Sequence, residues 1–320
     1  EKIQAINQNT KTAFLSKKQK KTVEKLEKEQ LPKLQEYEKH LENLGDRNSY
    51  SKIDTDATFM RMKEDHMKNG QLKAAYNVQI STENQIITHF SVHQKSTDFT
   101  TLESHLEGFK NAYDKTSKQI IADAGYGSEE NYQMLEQQQM EFFIPYNMYR
   151  MEQKRKHKNN LFHTQNLYHN IELDFLVCPM GQRMEKIYTK ESKTTTGFLQ
   201  QHSVYQAQNC QGCPMRGQCF NAKGNRRIEI NHNLQRLKAK ARENLENKEG
   251  KEIYAKRCIE PEPVFGNIKQ NKHFKRFSLR KLTKINIEFG LVAIAHNFAK
   301  WIEKIRLLGF IQNHRVIECF

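Results

Sequence analysis

The chain has 320 residues, 52 Lys+Arg against 37 Asp+Glu, and a formal net charge of +15. With only 37% hydrophobic and 28% charged residues, it is long enough for one large domain or two ordinary ones, but exposed or extended parts are expected beside the core. No apolar run approaches the roughly 18 residues of a membrane span and no signal-peptide pattern opens the chain, which excludes a helical membrane protein and points to the cytoplasm, with a polyanion as partner. The sequence begins with Glu1 and not Met, so an upstream portion is expected.

Residues 11–45 are predicted helical. Val23, Leu26, Leu31, Leu34, Tyr37, Leu41 and Leu44 recur mostly every three or four positions among Lys and Glu, the mark of a narrow apolar stripe. Pro32 should break or kink this helix near Leu31, and Gly45 should stop it. Such an arm packs on its neighbour, or it serves DNA contact or dimerisation. Over residues 71–94, Ala75, Tyr76, Val78 and Ile80, then Ile86, Ile87, Phe90 and Val92, predict two strands with a turn at Thr82, Glu83 and Asn84. Asp98 is placed to cap a helix whose core face holds Phe99, Leu102, Leu106 and Phe109. A strand over 119–123 ends on Asp123. Gly125 and Gly127 follow, then Ser128 caps a helix with Glu129 and Glu130 in its first turn. "EFFIPY", 141–146, is a further strand. The order hairpin, helix, strand, helix, strand predicts a mixed α/β sheet flanked by helices. Asp123 lies at a carboxyl end of a strand, where catalytic groups gather in such sheets.

Residues 150–235 interrupt this order as a basic, sheet-poor insertion that holds Cys178, Cys210, Cys213 and Cys219. The gaps between them are 31, two and five residues. Four thiolates suit a closed tetrahedral zinc site, with His202 as a substitute ligand, and a metal staple would help such an insertion fold. After it comes "EIYAKRCIEPEPVFGNIKQNKHF". Pro263 suits the start of a helix, and Lys269 lies seven positions after Glu262, two turns along one face. Tyr254 and Arg257 stand just upstream. The last predicted helix, about 282–305, offers Ile285, Phe289, Val292, Phe298, Trp301, Ile302 and Ile305 as core residues. The domains are therefore drawn as an arm (1–48), a first catalytic part (49–149), the insertion (150–235) and a last catalytic part (236–320).

"ADAGY" around Asp123, with Tyr254, Arg257, Glu262 and Lys269 in "EPVFGNIK" and before it, resembles the DDE transposases of bacterial insertion sequences. The branch with a Cys-containing insertion is the one resembled. "IDTDATFMRMK" (53–63), "AAYNVQIS" (74–81) and "FKRFSLRK" (274–281) are similar to it too, so the resemblance covers about residues 50–305. It implies a ribonuclease-H-like domain and two Mg²⁺ ions, or Mn²⁺, held by three carboxylates, with Asp123 second and Glu262 third. The glycines after Asp123 would let metal or DNA approach. No Asp-Gly-Thr is present for the first carboxylate. It is expected upstream of Glu1, with Asp56 and then Asp54 as fallbacks, and this stretch alone is expected to cleave weakly. Asp98 resembles a recurrent aspartate after the third strand, although its capping role explains it.

The implied partner is double-stranded DNA, both insertion-sequence ends and target, bound by a homodimer or larger assembly in the nucleoid. Tyr254, Arg257, Lys269, Lys272, Lys275 and Arg276 are the candidate DNA contacts. "KRKHK" (154–158) and "KGNRR" (223–227) are further basic tracts. A non-catalytic DNA-binding remnant and a ribonuclease-H-like nuclease are the competing functions.

Overall fold

Ser16 opens the first helix with a reciprocal cap: its hydroxyl accepts from Gln19 N at 3.3 Å, and Gln19 Oε1 accepts from Ser16 N at 2.9 Å. This is the first residue described by the computed structural model, which covers residues 16–62 and 69–317, with side chains to 306. The chain divides into two compact units: Glu1–Tyr76 with Leu279–Lys284, and Asn77–Ser278 with Ile285–Phe320.

In the first unit, α1 (Lys17–Lys25) passes through a π segment, Leu26–Gln30, into α2 (Leu31–Leu44). Pro32 does not break the helix as expected. It lacks the N–H an α turn would use, and the wider π turn just before it accommodates the loss. Residues 11–15 of the predicted helix lie outside the described residues. Strands β1 (Thr58–Arg61) and β2 (Leu72–Ala75) pair antiparallel. The Arg47 guanidinium donates to Asp56 O at 2.9 Å and Thr55 O at 2.8 Å, which fixes the preceding loop. Asp54 accepts from Tyr76 Oη at 2.8 Å and from Lys281 N at 3.2 Å.

The second unit begins with the hairpin β3 (Asn77–Glu83) and β4 (Ile86–His93). Its turn is two residues long, Asn84 and Gln85, both at positive φ (53° and 62°), the geometry that matches strand twist. The predicted first strand is thus split: Ala75 belongs to β2 and Val78 to β3. Val78 and Ile80 pack with Ile87, Val264, Ile268 and Phe289. The opposite face of β3 is polar but also covered: Ser81 Oγ meets His105 Nε2 at 2.8 Å, and Ser91 Oγ of β4 meets His105 Nδ1 at 2.6 Å. Burial, with His89 and His93 nearby, pushes the His105 imidazole down to about 3.

Helix α3 (Leu102–Tyr113) follows a 3₁₀ turn, Asp98–Thr100. Leu102 is buried and Leu106 packs against the core, whereas Phe99, expected on that face, is exposed. Strand β5 (Gln119–Ile121) pairs parallel with β6 (Glu141–Phe143) around α4 (Glu129–Gln137). Ser128 caps α4 as predicted, accepting from Asn131 N at 3.2 Å. The core here joins Tyr132, Leu135, Phe142, Ile144 and Tyr146 to Leu237 and Ala241 of α5 (His232–Glu246). The hairpin and the parallel pair remain separate two-stranded sheets among the described residues. The molecule is mixed α/β, with several sheets rather than one.

The region expected to be sheet-poor contains the largest sheet. Strands β7 (Tyr168–Asn170), β8 (Phe175–Val177), β9 (Arg183–Lys193), β10 (Leu199–Ala207) and β11 (Arg227–Ile230) lie antiparallel in the order β11-β10-β9-β8-β7. One face buries Leu176, Met184, Tyr205, Ala207, Ile228 and Ile230. The other face is mixed: Phe175 and Val204 are buried there beside Lys190, Arg227 and Glu229, and the interspersed charges dilute the apolar signal of these strands.

The chain closes through α6 (Lys248–Ala255), α7 (Pro261–Gly266), a π segment Asn267–Asn271, and α8 (Leu282–Ile317). Asn297 of α8 bonds both ways to Ile87, donating to its O and accepting from its N at 2.8 Å each, and so covers the backbone of β4. Ile285 and Phe289 are buried as predicted. Phe298, Trp301, Ile302 and Ile305 are exposed, Trp301 at 58%, as are Leu291 and Ile294 on earlier turns of the same helix. Among the described residues no helix is long and apolar enough to cross a membrane.

Candidate active site and cysteine cluster

Asp123 follows β5 and starts a tight 3₁₀ turn, Ala124–Tyr126. Its Oδ1 accepts from Gly125 N at 2.8 Å, and Tyr126 N donates to Asp123 O at 3.2 Å. The carboxylate is thereby held by its own turn. Asp98 lies against the same turn. A Cβ on Gly125 would sit 2.8 Å from Asp123 Oδ1 and 3.0 Å from Asp98 Oδ2. The missing side chain therefore leaves a cradle between two carboxylates.

Asp98 is not a helix cap. Its Oδ1 accepts from Asn77 Nδ2 at 2.8 Å and from Gln79 Nε2 at 2.9 Å, which turns the side chain toward Asp123. Tyr126 donates its hydroxyl to Gln79 Oε1. Burial first, then the Asp98 and Asp123 charges, drives the Tyr126 phenol well above its ordinary range, so it remains a donor. Gly127 has a different task from the open access expected of it: it packs against Pro145 O, Tyr132 and Tyr146. Asn77 and Gln79 escaped the sequence reading. The available signal was their spacing, since residues two apart on a strand share a face.

Tyr254, Arg257 and Glu262 are brought together. Arg257 Nη2 pairs with Glu262 Oε1 at 2.7 Å, and the guanidinium lies over the Tyr254 ring at 5.7 Å. The arginine side chain is 17% exposed and the glutamate 52%, so the pair opens to solvent on its acidic side. Neighbouring Glu260 accepts from Gln85 N at 2.8 Å and anchors this segment to the hairpin turn. The π segment changes the helical phase between Glu262 and Lys269, so the two-turn argument does not carry over. Lys269 Nζ instead lies over Phe265 at 5.6 Å. Lys272, Lys275 and Arg276 are exposed in the following loop. In the first unit, Asp56 Oδ2 accepts from Leu282 N at 2.9 Å, at the start of α8.

The four clustered cysteines line one cavity of about 20 Å³, room for about one water-sized sphere. Cys178 begins the turn between β8 and β9, closed by Gly181 N donating to Cys178 O at 2.9 Å. Gly181 and Gly212, at φ 80° and 68°, give the Cys178 and Cys210–Cys213 turns their left-handed residues. Arg226 belongs to this cavity, not to an exposed basic tract: Nη1 donates to Cys219 Sγ at 3.0 Å, and Nη2 donates to Phe162 O at 2.6 Å. His202 lies on β10 and does not line the cavity. Among the described residues, no group of three or more His, Cys, Asp or Glu side chains is arranged to hold a metal ion. The cysteines share a cavity without forming such a group among the described residues.

Residues 177–302 match the model of a family described as "Transposase DDE domain". The match supports a DDE-type transposase. A transposase domain implies a DNA substrate, and the family generally uses a divalent metal. The matched stretch includes Glu262 and all four clustered cysteines and begins after Asp123. No curated protein and no solved structure matched the chain.

Proposed function

We propose that the chain catalyses metal-dependent DNA strand cleavage and strand transfer at the ends of a bacterial insertion sequence. The observation that carries the reading is the cradle at Gly125, bordered by the oxygens of Asp123 and Asp98. Carboxylate oxygens are the hard donors that Mg²⁺ or Mn²⁺ takes, and a Cβ would fill the space, so the residues fit such an ion. Asp123 and Glu262 would hold the divalent metal, within a ribonuclease-H-like arrangement of the β3–β4 hairpin and the β5–β6 pair. When bound, such ions activate water or a DNA 3′-hydroxyl and stabilise the leaving oxygen at phosphorus. The Gly125 amide orients the Asp123 carboxylate. Arg257, already beside Glu262, offers a planar cation to a DNA phosphate.

A duplex carrying the element ends, incubated with the full natural protein, Mg²⁺ and a target plasmid, should give joined products. Cleavage without joining would support a nuclease instead, and binding without either would support a non-catalytic remnant. Backbone contacts should dominate binding. Lys275→Ala with Arg276→Ala should weaken all DNA sequences alike and flatten the log–log salt slope by about two units, one per lost phosphate contact. An unchanged slope would remove this loop from the DNA surface.

Zinc is the proposed occupant of the cysteine cavity, where its role is structural. Four cysteines lining one cavity, from the β8–β9 turn, the Cys210–Cys213 turn and the short helix Arg216–Cys219, support this, and binding would have to draw Cys219 away from Arg226. Elemental analysis of reduced protein purified without chelator should find about one zinc per chain, as a four-ligand site requires. Metal-free protein that is fully folded would defeat the assignment.

A further inference from the structure

We infer that Gln79 is a positioning residue for the Asp123 site, an inference that rests on the reading of Asp123 as a site carboxylate. Gln79 is 7% exposed. A primary amide has two N–H donors and one carbonyl acceptor, and all three are used here. Nε2 donates to Asn77 Oδ1 at 2.8 Å and to Asp98 Oδ1 at 2.9 Å, while Oε1 accepts from the Tyr126 hydroxyl. The amide has one workable orientation. Flipping it would set Oε1 against the oxygens of Asn77 and Asp98 and leave buried donors unpaired, an arrangement that proteins avoid.

Three segments meet at this one side chain: β3, the turn after β4 and the turn after β5. No strand ladder does that work, because β3–β4 and β5–β6 are separate sheets among the described residues. The Asp123 turn is thus set relative to the hairpin by side-chain hydrogen bonds. With its Oδ1 held by two N–H groups, Asp98 is left with Oδ2 facing the Gly125 cradle. Through Tyr126 the same amide holds the far end of the turn that begins at Asp123. Gln79 makes no hydrogen bond to Asp123 itself, so its effect passes through Asp98 and Tyr126.

The test uses Gln79→Met, which keeps the volume and removes all three hydrogen bonds, and Tyr126→Phe, which removes only the hydroxyl. Hydrogen exchange of the peptide 119–132, measured without DNA or metal, should quicken at least tenfold in Gln79→Met and less in Tyr126→Phe. Exchange in the cysteine-bearing sheet should not change. In the cleavage assay kcat should fall at least tenfold with KM for DNA unchanged. The double variant should lose no more than Gln79→Met alone, because both side chains act in one relay. Unchanged exchange in 119–132 in both variants would overturn the inference whatever the activity. So would a loss carried by KM, or additive losses in the double variant. Faster local exchange in a protein whose wild type cleaves no DNA would leave the positioning role standing and sink the transposition reading instead. If Gln79→Met does not fold, Tyr126→Phe alone decides, by the same exchange and kcat readouts.

Discussion

Asp123→Asn and Glu262→Gln each lower Mg²⁺-dependent cleavage by more than about 100-fold, beyond the range of roughly 10–100-fold typical of outer-shell partners, while DNA binding is essentially retained. Both exchanges keep the shape of the side chain and remove its negative charge. The Asp123 turn survives, because an asparagine Oδ1 still accepts from Gly125 N where the carboxylate does now at 2.8 Å. Glutamine at 262 still offers an oxygen to Arg257, which now pairs with the carboxylate at 2.7 Å. The loss therefore falls on metal binding and chemistry rather than on folding. Cleavage of an end-labelled duplex by the full natural protein, beside a mobility-shift titration at fixed salt, measures both quantities. A variant that cleaves at the wild-type rate has lost nothing the reaction needs, and its residue leaves the proposed site.

Gly127→Ala destabilises the fold by about 3 kcal/mol or more, at or above the upper end of the roughly 1–3 kcal/mol usual for an overpacked core. Backbone strain is not the reason, since φ at this residue is −77°. The new Cβ would lie 2.4 Å from Pro145 O, 2.8 Å from Tyr132 Oη and 2.9 Å from Tyr146 Cα. Two of these are backbone atoms, and both tyrosines are fully buried in the core beneath the Asp123 turn. Nothing there can rotate away. Gly125→Ala is the informative contrast: its Cβ meets side-chain oxygens of two carboxylates, at 2.8 Å and 3.0 Å, which can shift at the cost of their hydrogen bonds where backbone atoms cannot. It should cost little stability and much activity. Denaturant unfolding of the two variants side by side should separate them, and equal midpoints for Gly127→Ala and wild type would show that the contacts around Gly127 do not limit stability.

The local rules were legible along the chain wherever a residue's neighbours in sequence decide its state. Ser128 caps its helix because the hydroxyl reaches N–H groups within the next turn. The hairpin over residues 71–94 followed from alternation, although its turn falls at Asn84 and Gln85 and a break at Tyr76 splits the strand expected there. Cys178, Cys210, Cys213 and Cys219 cluster in the sequence, and in the fold all four line one cavity. Tyr254, Arg257 and Glu262 fall within one short stretch, so their meeting also needed no distant contact.

What neighbours in sequence cannot determine is which faces are covered. Asn77 and Gln79 alternate with Val78 and Ile80, and by pattern alone the polar side of such a strand faces water. In the fold that side is buried too, against Asp98, Tyr126 and His105, and it becomes the support of the Asp123 turn. Phe298 and Trp301 show the converse: they are apolar and at helical spacing, yet exposed, with Leu291 and Ile294 before them. The sheet of β7 to β11 was hidden because Lys, Arg, Glu and Gln interrupt the alternation of its strands, although Leu176, Met184, Val204 and Tyr205 are buried. Asp98 could be read as a cap from its place before a helix, and only the approach of β3 turned its carboxylate toward Asp123. By itself the sequence determined the capped helix at Ser128, the hairpin and the grouping of Tyr254, Arg257 and Glu262. The tertiary structure decided which carboxylates share a space, because burial and hydrogen-bond pairing depend on segments that are far apart in the chain.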